Sequence, residues 1–150
     1  MRRRVIAGKS YKSWTLASSA LHARECWHNS PMVKNTPILL HNPRCSKSRQ
    51  TLSLLRENNI DFEIREYLKA PLDNDEVRAL IAKLNGPANQ LVRAREARDA
   101  GLQVAVTALS PSEVASWLVD HPESMQRPVV YTSEAARIGR PPEDVLALFD

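Results

Sequence analysis

At 150 residues, with 43% hydrophobic and 25% charged side chains, the chain has the composition of an ordinary soluble protein and the length for one domain with a real core. No apolar run approaches the ~20 residues of a membrane span, and two cysteines, Cys26 and Cys45, make no disulfide scaffold, so a reducing, cytoplasmic setting without a membrane is expected. The net charge of +4 is uneven: residues 1–36 carry seven Lys/Arg against one acid, Glu25, while the other 114 hold 14 basic and 16 acidic side chains, which argues against a nucleic-acid-binding face on the folded part.

In chain order, residues 1–35 show no sustained period of 2 or 3.6 and are rich in Arg, Ser and Ala. They lack the compact apolar core of a secretory signal. A disordered or non-native extension is expected there, with an organelle transit segment as the alternative, and the domain is placed at 36–150. His22, Cys26 and His28 have no fourth ligand beside them, so no metal site is expected.

Pro37-Ile38-Leu39-Leu40 reads as a buried strand and Gln50-Thr51-Leu52-Ser53-Leu54-Leu55 as a helix. Between them stand nine residues, His41-Asn42-Pro43-Arg44-Cys45-Ser46-Lys47-Ser48-Arg49, which put Cys45 where a strand hands over to a helix N-terminus. Unsatisfied N–H groups and the positive end of the helix dipole converge at such a point, favouring a thiolate and able to hold an anion. Arg49 and His41 are expected to add positive charge from the sides.

Asn58-Asn59 is a natural helix stop, since Asn tolerates the left-handed region. Residues 62–67 read as a second strand with Phe62 and Ile64 on one face, completing a βαβ unit. Asp73 with Glu76 signals a capping box, followed by Val77, Leu80, Ile81 and Leu84 at helical spacing, and Gly86-Pro87 breaks the helix. A weaker helix is expected over 89–96, carrying Arg93, and mostly loop over 97–109. Ser110-Pro111-Ser112-Glu113 opens another capped helix with Val114, Trp117 and Leu118 inward, closed by His121-Pro122. Residues 127–131 read as a strand opening on Pro128, 135–138 as its antiparallel hairpin partner, and 143–149 as a last helix.

The order β-α-β, helices, β-β-α is that of an α/β thioredoxin-like domain, a four-stranded mixed sheet flanked by helices. That plan sets the proline opening the third strand, and with it Arg127, beside Cys45.

The 41–49 stretch, Met125-Gln126-Arg127-Pro128-Val129-Val130 and Ala136-Arg137-Ile138-Gly139-Arg140-Pro141-Pro142, in this order, resemble the glutaredoxin-dependent arsenate reductases from about residue 36 to 148. The resemblance implies that Cys45 is the catalytic cysteine, bracketed by His41 and Arg49. It implies that Arg93, Arg127 and Arg140 line an oxyanion site. It implies arsenate as substrate, glutathione as co-substrate and glutaredoxin as partner, with no bound cofactor or metal. Arginine's planar fork suits a compact oxyanion better than lysine's point charge. Ser48 stands where a dithiol oxidoreductase would carry its second cysteine, so the resolving thiol is expected to come from outside. Two alternatives share the fold. One is a Spx-type redox-responsive regulator of RNA polymerase, against which Ser48 counts. The other is a monothiol oxidoreductase acting on glutathione mixed disulfides, its arginines holding glutathione carboxylates.

Overall fold

The computed structural model describes residues 35–150. The readings made for the basic extension and for His22, Cys26 and His28 lie outside the described residues. Strand β1, Ile38–Leu40, leads into helix α1, Ser46–Glu57, and then strand β2, Glu63–Arg65. Helix α2, Asn74–Lys83, a 3-10 turn, Ala88–Leu91, and the short helix α3, Ala94–Asp99, follow. Helix α4, Pro111–Asp120, precedes the hairpin of β3, Val129–Tyr131, and β4, Ala136–Ile138. The sheet runs β2-β1-β3-β4, with β1 parallel to β2 and antiparallel to β3. This is the mixed four-stranded sheet, covered by helices on both faces, that the sequence implies.

Period-2 alternation divides the core. Leu39 and Val130, opposite each other, face a smaller cluster with Leu55 of α1 and Val145 near the C-terminus. Leu40 and Val129 face the larger one, with Val77 and Leu80 of α2, Leu91, Val114 and Leu118 of α4, and Met125. Each such side chain taken fully out of water contributes roughly 1.5–3 kcal/mol. Phe62 packs against the smaller cluster, whereas Ile64 remains 45% exposed because β2 is an edge strand.

Helix ends follow the local chemistry. Asp73 and Ser110 accept the N–H groups of Glu76 and Glu113, and both glutamates return a bond to the cap backbone. Asn58 caps α1 by donating to the Leu54 carbonyl at 3.1 Å, and Asn59 adopts φ +55°.

Two segments differ from expectation. The helix expected over 89–96 is split, because Val92 is extended and bridges Met125 in antiparallel fashion, with Gln126 N–H donating to Leu91 O and Arg93 N–H to Ser124 O at 2.8 Å. That pairing ends the 3-10 turn and restarts the chain as α3 immediately after Arg93. The last helix is a 3-10 segment, Pro142–Leu148, with three-residue bonds such as Asp144 N–H to Pro141 O. Pro141 and Pro142 supply no N–H at its start.

Gly139 is required by proximity. A Cβ there would meet Pro128 Cγ at 2.8 Å and Thr51 Oγ1 at 2.9 Å, while its N–H donates to the Pro128 carbonyl. The bare backbone at 139 lets the segment carrying Arg140 lie directly on the segment carrying Arg127.

Candidate active site

Cys45 occupies the N-cap of α1 with extended backbone (φ −91°, ψ 121°). Its N–H donates to Asn42 O at 3.0 Å and its carbonyl accepts from Arg49 N–H at 3.1 Å, which fixes the turn. Partial burial pushes the thiol's pKa up, but other influences prevail and leave it below that of an ordinary cysteine. They are the backbone N–H groups of Ser48 and Lys47, then the Arg127 guanidinium, through its charge and then its N–H groups. Those two backbone N–H groups belong to the first turn of α1, whose N-terminus favours the thiolate.

His41 departs from expectation. It is buried, with Nδ1 2.8 Å from Ser48 Oγ, and Ser48 Oγ accepts the Asn42 N–H at 3.0 Å. Burial above all, helped by the charges of Arg49 and Arg56 and opposed by Glu66, lowers its pKa. His41 is therefore harder to protonate than a free imidazole, which counts against a positive charge there. It braces Ser48, which is itself fully buried. Arg49 also differs: its exposed guanidinium donates to the Pro43 carbonyl at 2.8 Å, tying the first turn of α1 back to the loop. The guanidinium acting on the sulfur is that of Arg127.

The three other arginines come together from three elements. Arg93, at the N-cap of α3, places Nη1 2.6 Å from Glu96 Oε1. Burial first, then the charges of Arg127 and Arg140, lower its pKa, while Glu96 and Cys45 act in the opposite direction. Arg127 sits just before the cis peptide to Pro128. It donates from Nη1 to Glu123 O at 3.0 Å and holds Nη2 3.6 Å from the same Glu96 oxygen. Arg140 donates from Nε to the Arg127 carbonyl at 3.0 Å. Arg127 is the hub, touching the sulfur's field on one side and linked to both other arginines on the other.

Two residues escaped the sequence reading. Glu96 joins Arg93 to Arg127, and its only sequence signal is the i,i+3 spacing from Arg93. Tyr67 is fully buried with its hydroxyl beside Asn42 and Arg127, completing no hydrogen bond of good geometry with either. Burial raises its pKa, partly offset by those two neighbours. No signal in the sequence marks it beyond an aromatic following a short strand.

Among the described residues, no group of three or more His, Cys, Asp or Glu is placed to hold a metal ion, and no helix is long and apolar enough to cross a membrane. An open groove of about 640 Å³ begins one residue from Cys45, at Ser46 and Lys47, and follows α1 toward Pro141.

A family model described as the ArsC family matches residues 40–148, spanning every element of this site. The chain belongs to the ArsC family. An uncharacterized Escherichia coli K12 protein, YfgD, is 43% identical over 118 residues, covering 78% of this chain and 98% of its own length. An arsenate reductase of Haemophilus influenzae is 35% identical over 112 residues, covering 74% of this chain and 97% of its own. Among solved structures, the arsenate reductase from Vibrio cholerae superposes with a TM-score of 0.67 at 32% identity, over 75% of this ArsC chain and 96% of that one.

Proposed function

We propose that this chain reduces arsenate to arsenite, with Cys45 as nucleophile, Arg93, Arg127 and Arg140 as the oxyanion site, and glutathione and glutaredoxin as the external thiol system. The observation that carries the reading is Cys45 at the N-cap of α1 together with three arginines that Glu96 and the Arg127 carbonyl tie into one cluster. The names borne by relatives at 35% identity support arsenate as the substrate.

In the proposed sequence the Cys45 sulfur attacks arsenic(V) and an oxygen leaves as water, giving a cysteine–arsenic(V) adduct. The guanidinium groups hold charge on the remaining oxygens in a place where those donors are fixed beforehand. The glutathione sulfur then attacks, arsenic gains two electrons to become arsenic(III), and the two sulfurs leave as a mixed disulfide that glutaredoxin reopens. The balance per turnover is arsenic acid plus two thiols going to arsenous acid, one disulfide and one water. Among the described residues Cys45 has no partner thiol, since Ser48 holds the position of a second cysteine and is bonded to His41, and the proposed resolving thiol comes from outside. The groove along α1 gives that thiol an open approach. His41 and Arg49 act as positioning residues, through Ser48 and the Pro43 carbonyl respectively.

The test is arsenite formation from arsenate by the purified chain, with glutathione and glutaredoxin present or singly omitted. Repeated arsenite release is expected only with both; without glutaredoxin at most one equivalent per chain forms, and Cys45→Ser forms none. Undiminished turnover by Cys45→Ser, or none from the native chain with both partners, would sink the proposal.

A further inference from the structure

Glu96 is a carboxylate inside a cluster otherwise built to attract anions. Its Oε1 lies 2.6 Å from Arg93 Nη1 and 3.6 Å from Arg127 Nη2, so a single oxygen serves guanidinium groups 34 residues apart in the chain. Its Oε2 is buried without a hydrogen-bond partner, as is Arg127 Nε. An ordinary i,i+3 pair on a helix surface is solvated and contributes little. This one carries the cost of a buried, unpartnered carboxylate oxygen, which calls for a physical reason. The neighbours supply one. The charges of Arg127 and Arg140 both bear unfavourably on Arg93, and two half-buried guanidinium groups do not stay side by side without a counter-charge. An incoming tetrahedral oxyanion would have to offer the same arginines more than Glu96 already does.

We propose that Glu96 is a resident counter-anion: it keeps Arg93 and Arg127 side by side when no oxyanion is bound, and competes with incoming oxyanions for their N–H groups. It thereby sets how tightly the site holds any tetrahedral oxyanion, including those that cannot react. The inference deepens the proposed function and rests on its oxyanion site. Glu96 is a positioning and affinity-setting residue, and takes no part in bond making.

The experiment avoids turnover. Sulfate, a tetrahedral oxyanion that forms no bond to the thiol, is titrated against the rate of Cys45 alkylation by iodoacetamide. The modified peptide is read by mass spectrometry so that Cys26 does not interfere, and ionic strength is held constant with chloride. Sulfate protects Cys45 in the native chain. In Glu96→Gln, which keeps the shape and removes the charge, half-protection is expected at roughly tenfold lower sulfate, the size of one charge-assisted bond that no longer competes. The pH midpoint of alkylation without sulfate is expected to fall as well, because the positive field at the sulfur is no longer partly cancelled. Glu96→Asp, which restores the charge, returns both readouts toward native. Unchanged or weaker sulfate protection in Glu96→Gln overturns the inference, as does failure of sulfate to protect either form. Because these readouts need no arsenite, a failure here is distinct from a failure of the reductase reading.

Discussion

The two sides of Cys45 are built in opposite ways. On one side, nine consecutive residues fold into a turn whose donors are backbone N–H groups of Ser48 and Lys47, held by bonds from Cys45 N–H to Asn42 O and from Arg49 to the Pro43 carbonyl. On the other, Arg93, Arg127 and Arg140 arrive from α3, the start of β3 and the end of β4, and their long side chains are held by Glu96 between two of them and by the backbone carbonyls of Glu123 and Arg127. The backbone side depends on helix geometry, which survives most substitutions. The arginine side depends on a few long side chains agreeing on one place. Activation of the sulfur is therefore expected to be robust, and recognition of the oxyanion fragile.

Cys45→Ser should leave both sides standing and remove the sulfur between them, reducing arsenite formation to background in the coupled assay with glutathione and glutaredoxin. Arg127→Ala should separate them. Turnover is expected to drop by on the order of 10²–10³, as when a fixed donor is removed from a developing oxyanion. The alkylation midpoint of Cys45, read against pH, should rise yet stay below that of a free cysteine, because the Ser48 and Lys47 donors remain. A midpoint equal to free cysteine in that variant would mean that the backbone side contributes nothing.

Gly139→Ala tests the seam between the arginine segments. The added methyl would sit 2.8 Å from Pro128 and 2.9 Å from Thr51, and overpacking of that kind costs about 1–3 kcal/mol in denaturant unfolding. The smallest effect is a pH dependence from the backbone side. His41 is harder to protonate in the fold than in the unfolded chain, its pKa being lowered chiefly by burial. Below the ordinary imidazole value near 6.5 the unfolded chain takes up this proton more readily than the folded chain does. Stability is thus fully present above about pH 6.5 and declines as the pH falls through that value toward the lowered folded pKa. Denaturant midpoints measured across that range should show the decline, and His41→Gln, which cannot titrate, should flatten it.

The same division explains what the sequence disclosed. The Cys45 turn is legible because strand, turn and helix signals are consecutive, and because a helix N-terminus has the same electrostatics wherever it occurs. Asp73 with Glu76 and Ser110 with Glu113 are legible for a similar reason, since capping is chemistry within four residues. A single arginine carries no such mark: the fold plan points to Arg127, and only the resemblance over residues 36–148 singles out Arg93 and Arg140. Periodicity missed the break at Val92, because its cause is Met125, 33 residues further on. It missed the bracing role of His41 as well, since burial is a property of the packed chain. Glu96 and Tyr67 were silent because each gains meaning from Arg127, which only the sheet brings near them.

Ser48 has one more consequence. Its hydroxyl fills, in a sealed position against His41, the spot from which a sulfur could have closed a ring with Cys45. Among the described residues the chain has nowhere to store an oxidising equivalent of its own. After each cycle of the proposed chemistry it would stay idle until a neighbour in solution reset it, so its working speed would follow the reducing power of its surroundings.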